Sequence, residues 1–81
     1  MQYEELIGFL TDNQLAVVKA IAKEGLVESP QSTGFIKQYD LPSSSSIKTA
    51  LDVLTDKDIV CRTPLGYIIY DHFFAIWLKR L

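Results

Sequence analysis

The chain is poor in the residues from which catalytic and metal sites are built. Among 81 residues there is one cysteine and one histidine. A lone Cys61 forms no intramolecular disulfide and no multi-thiolate zinc site, and it points to a reducing setting. His72 has neither a nucleophile and base arranged around it nor further ligands at metal-binding spacing, so it reads as a surface histidine near a helix start. Cys61 falls in a β-rich segment and reads as a small apolar residue rather than a reactive thiol. No G-x-x-x-x-G-K-[ST] occurs, which excludes nucleotide binding by a P-loop within these residues. The expectation is a non-enzymatic chain with no catalytic residue, no metal ligand and no cofactor of its own.

A basic excess is also missing. Eight Lys and Arg stand against ten Asp and Glu, a net charge of −2, whereas a domain that lives on phosphate contacts usually carries surplus positive charge. Long apolar runs are absent too. The longest, Phe73 to Leu78, falls far short of the roughly 20 residues of a membrane-spanning helix. The opening MQYEELIGFL carries Glu4 and Glu5 where an export signal is positive. These features predict a cytoplasmic protein with no membrane partner.

What the chain does have is apolar content, 48% of its residues, enough for one small core without staples. Tyr3, Leu6, Ile7 and Leu10 recur at helical spacing, as expected of residues 1–10 forming the end of a helix or linker that enters from upstream. Thr11 to Gln14 is a capping box. Behind it Leu15, Val18, Ile21 and Ala22 mark the inner face of a helix over about Asp12 to Glu24, with Gly25 as its left-handed stop. Leu26 to Ser29 is a candidate for a small third strand. Ser32 caps a short helix whose inner residues are Phe35, Ile36 and Tyr39, and Asp40-Leu41-Pro42 is the turn that follows, with Leu41 as a plug between helices.

Ser43 to Ser46 supply a cap and first turn rather than a low-complexity tract. Ile47, Ala50, Leu51 and Leu54 then form one helical face. Ile59 to Thr63 and Tyr67 to Tyr70 read as strands of a hairpin joined by Pro64-Leu65-Gly66. Asp71 caps a last helix on which Phe73, Phe74, Trp77, Leu78 and Leu81 share a face that Ile76 widens. This order of elements predicts an α+β, mostly α fold over residues 11–81. It is a winged helix-turn-helix with a three-helix core, a short β-hairpin wing and an extra C-terminal helix.

Three stretches carry a resemblance: LTDNQLAVVKAIAKEG, FIKQYDLPSSSSIKTALDVLTDKDIV and GYIIYDHFFAIWLKRL. Together they resemble the winged-helix domain that follows the nucleotide-binding core in prokaryotic AAA+/STAND-like ATPases of the archaeal type. The matching positions are Leu41, Pro42, Ser43, Ala50, Leu51, Asp58, Ile59, Asp71, Phe73, Phe74, Trp77 and Leu78. His72 stands in place of a usual proline and Asp40 where glycine is frequent; proline is not required at a helix start, and Asp tolerates a left-handed backbone. The resemblance implies a parent protein that binds ATP and magnesium through an upstream domain, with this chain as its accessory module. Its partners would be that ATPase domain or another protein.

Two surfaces are candidates for recognition. The helix in the recognition position turns Ser45, Lys48, Thr49, Asp52 and Asp56 outward, one cation against two anions, a poor match to a duplex. DNA contact is therefore expected to be weak, gaining by avidity in an oligomer, and would use Ser44, Ser45, Lys48, Thr49 and Arg62. The other is the last helix. Part of Phe73, Phe74 and Trp77 closes the core, while a face this broad leaves Phe74, Ile76, Trp77 or Leu81 for a protein interface, with homodimerisation through that helix as one outcome. A free-standing DNA-binding regulator is the rival reading.

Overall fold

The computed structural model describes residues 3–81, and its elements run α1 (Tyr3–Gly8), α2 (Asp12–Glu24), α3 (Thr33–Tyr39), α4 (Ser44–Asp56), β1 (Val60–Thr63), β2 (Gly66–Ile69) and α5 (His72–Lys79). The winged-helix order and the α+β class are those the sequence predicts. Helix starts follow the predicted caps. Thr11 and Gln14 close a reciprocal capping box on α2 through bonds of 3.1 Å in each direction. Ser32 accepts from the Phe35 amide and Ser43 from the Ser46 amide, each at 3.3 Å. The Asp71 carboxylate accepts from the amides of Phe73 and Phe74 at 2.9 and 3.3 Å. Asp40 closes α3 in the left-handed region at φ 52°, the conformation that a short polar side chain tolerates best.

At the centre of the fold α2 packs against α4, α5 and β2. Its buried residues are Val17, Val18, Ala20, Ile21 and Ala22, while Leu15 is only half-buried. The single predicted face understates this, because a helix enclosed on three sides buries more than one stripe. Around it Ile47, Leu51 and Leu54 of α4, Val60 and Ile69 of the hairpin and Phe74 and Leu78 of α5 complete one continuous core, with Leu41 and Phe35 at its margin.

The hairpin is tighter than predicted. Thr63 pairs with Gly66, so Pro64 and Leu65 alone link the strands. The Thr63 hydroxyl donates to the Gly66 carbonyl at 2.8 Å and accepts from the Leu65 and Gly66 amides at 3.2 Å, which closes the turn. The third strand is reduced to one antiparallel bridge, Val27 to Tyr67, held by two backbone bonds of 3.0 and 2.8 Å. At this junction Gly66 takes φ 144°, and a Cβ there would lie 2.5 Å from the Val27 carbonyl oxygen. Only glycine fits that approach.

Helix α5 departs most from its predicted face. Phe74 and Leu78 are buried at 2% and 0%, but Phe73 is 72% exposed. Adjacent helical residues point about 100° apart, so a helix that aims Phe74 into the core turns Phe73 away from it. The half-buried Tyr3 of α1 lies over both Phe74 and Trp77, with ring centroids 5.0 and 5.5 Å apart. Tyr3, Leu6, Ile7 and Leu10 all pack against the core.

Candidate interaction surfaces

The outward side of α4 presents polar groups that already have partners. Thr49 donates its hydroxyl to the Ser45 carbonyl at 3.1 Å, and Gln31 reaches across from the link before α3 to the Ser44 carbonyl at 2.9 Å. Lys48 pairs with Asp52 one turn on, Nζ to Oδ2 at 3.5 Å, the only ion pair among the described residues. Both side chains are well exposed, so this pair adds little stability, but it leaves no net positive charge at that point. Ser44, Ser45, Lys48 and Thr49 are all exposed on one stretch of helix. Ser45, Ser46 and Thr49 also line a shallow groove of about 320 Å³ against Thr11, Asn13 and Gln14 at the start of α2.

Arg62 lies elsewhere. It lines a groove of about 540 Å³ between the hairpin and α4, together with Tyr67, Thr55 and three acids, Asp52, Asp56 and Asp58. Its guanidinium sits 6.0 Å from the Tyr67 ring centroid, at the limit of a cation–π contact. A duplex brought against this cleft meets three carboxylates for one arginine. The cations named from the sequence thus fall in two places, each neutralised or outnumbered by acids.

The ends of α2 and α3 are tied by Glu24. Its carboxylate accepts from the Tyr39 hydroxyl and, at 3.1 Å, from the Gln38 amide. The hydrogen bond to Glu24, followed by burial and the carboxylate's charge, raises the Tyr39 pKa above that of an ordinary tyrosine.

The α5 side is apolar. A groove of about 550 Å³ opens between α1, the base of the hairpin and the start of α5, lined by Leu6, Ile59, Tyr70, Phe73 and Phe74 with Lys57, Asp58, Asp71 and His72 at its rim. Tyr70 and Phe73 are 68% and 72% exposed on its lip. The residues selected from the sequence are dispersed around the helix. Phe74 is a core residue, so its ring offers no free surface, and Trp77 is half-covered by Tyr3. Ile76, 38% exposed, borders a different groove with Ala22, Gly25, Ile68 and Lys79, and Leu81 is 52% exposed at the chain end. Leu6, Tyr70 and Phe73 were not among the selected residues. Phe73 had a signal, a count of aromatics on α5 too large for one helix to bury in a small core, whereas Leu6 of α1 and Tyr70 ahead of α5 had none of that kind.

A three-helix core with a short antiparallel hairpin packed beside its last helix defines a winged helix, a class of module that binds DNA or protein. The family model described as a probable winged helix domain matches residues 1–80, and the chain belongs to that family. No curated protein and no solved structure matches the chain.

Proposed function

We propose that this winged helix is a non-catalytic protein-interaction module whose partner side is α5 and the base of the hairpin rather than the outward face of α4. The observation that carries this reading is the contrast in surface chemistry. The cleft between α4 and the hairpin sets Asp52, Asp56 and Asp58 against Arg62, while the α5 side leaves Tyr70 and Phe73 about two-thirds exposed around an apolar groove. Exposed aromatic rings rimmed by polar groups are what protein interfaces use. Acids facing a duplex are repelled by it.

The resemblance to the winged helices of prokaryotic AAA+/STAND-like ATPases supports a finer version. In it the module works in the cytoplasm beside an ATPase core, which is where ATP and magnesium bind, and this chain holds neither. The rival, a free-standing DNA-binding regulator, draws on the exposed Ser44, Ser45, Lys48 and Thr49 near a helix start. Anisotropy of a labelled duplex, titrated with the chain at low and at physiological salt, separates the two. The proposal predicts no saturable binding at micromolar protein. Submicromolar binding that weakens steeply with salt, the mark of phosphate neutralisation, overturns it.

A further inference from the structure

The apolar groove beside α5 holds both a protrusion and a recess. Phe73 and Tyr70 stand out from its lip at 72% and 68% exposure, while Leu6 and Ile59 line it beneath them. A surface that carries both complementary parts meets the requirement of a twofold interface, in which the same patch faces itself.

Charge agrees with this. A twofold axis sets each rim charge near its own copy, so a rim of one sign repels itself. The rim of this groove mixes signs, with Lys57 beside Asp58 and Asp71, and Asp71 is engaged as the cap of α5. Lys57 of one copy can therefore face Asp58 of another. The cleft between α4 and the hairpin, with three acids to one arginine, is more one-sided.

We propose that the groove's occupant is a second copy of this chain, in an isologous dimer in which the Phe73 ring of each copy enters the groove of the other. The proposal rests on reading the α5 side as the interaction surface, and it names the partner for that groove. The area it offers is small. Two aromatic rings, each about two-thirds exposed, offer about 300 Å² per copy, against about 800 Å² per partner in a standard interface. The dimer is accordingly weak and forms only at high concentration, with a dissociation constant on the order of 0.1–1 mM.

Sedimentation equilibrium of the chain from about 10 µM to about 1 mM brackets that range. The average mass should rise from the monomer toward the dimer across the series. Phe73→Glu, an acid in the first turn of a helix where the dipole favours it, should keep the circular dichroism spectrum and melting curve and weaken association at least tenfold. Lys57→Glu, which makes the rim acidic on both copies, should weaken it severalfold, while Lys48→Glu, on α4 and outside the groove's lining, should not. A chain that stays monomeric at about 1 mM overturns the proposal, as does association that Phe73→Glu leaves unchanged. Neither result bears on the duplex titration, so the dimer and the protein-interaction reading fail separately.

Discussion

The two sides of this domain reached their surfaces by different physical routes. On α4, every apolar residue of the inner stripe is used, since Ile47, Ala50, Leu51 and Leu54 are all buried, and the outer stripe is serine, threonine and charge. On α5 the helix is apolar nearly all round, HFFAIWLK, and only Phe74 and Leu78 are buried. The first helix has a face to present to solvent. The second has more apolar surface than one core can take, and the surplus at Phe73 lies beside a recess. Surplus of that kind, rather than position in the fold, is what supports the proposed partner side.

The largest test of this contrast lies within α5. Phe74→Ala should cost about 3–5 kcal/mol, because it empties a site in the core. Its neighbour Phe73→Ala should cost less than about 0.5 kcal/mol, as an exposed residue does. Urea unfolding monitored by circular dichroism reads both. Equal losses at the two positions would mean that the helix sits rotated from the orientation described, and the surplus would vanish with it.

The hairpin joins the two sides, and its geometry hangs on one backbone approach. Gly66→Ala puts a methyl group 2.5 Å from the Val27 carbonyl oxygen at a φ of 144°. It should destabilise the domain by about 2–3 kcal/mol and loosen the Val27 to Tyr67 bridge, seen as faster hydrogen exchange at the Tyr67 amide. A neutral substitution would show that the wing is not pinned there.

The smallest effect belongs to the polar side. Tyr39→Phe removes the hydroxyl that donates to Glu24 and should cost about 0.5 kcal/mol, the low end for a single hydrogen bond at a half-exposed site. Because the folded-state pKa of Tyr39 is raised, its contribution is fully present below the unfolded tyrosine value of about 10. It is lost as pH rises through the higher folded value. The stability difference between wild type and Tyr39→Phe should therefore be constant through neutral pH and shrink in strongly alkaline solution. A difference that persists there would remove Glu24 as the acceptor.

Much of the fold is legible in the residues because the signals are local. Thr11, Ser32, Ser43 and Asp71 each announce a helix through side-chain chemistry that reaches only three residues, and the inner stripe of α4 follows from its period alone. What is not legible depends on distant neighbours. Val17 and Ala20 are buried because three elements surround α2, and Gly66 joins a strand because Thr63 closes the turn and Val27 lies against it. The candidate site divides in the same way. Ser44, Ser45, Lys48 and Thr49 fall together as their helical spacing requires, whereas Arg62 is drawn by the hairpin's register to the acidic cleft. Which of two adjacent phenylalanines faces out is set by how α5 is clamped between α2 and α1. No period in the sequence decides that.

The claim that the outward face of α4 is not a duplex-binding surface is open to one direct measurement, the amide spectrum of the labelled chain with and without an equimolar DNA duplex at low salt. The account predicts that the signals of Ser44, Ser45, Lys48, Thr49 and Arg62 stay where they are. Saturable shifts confined to those residues would contradict it.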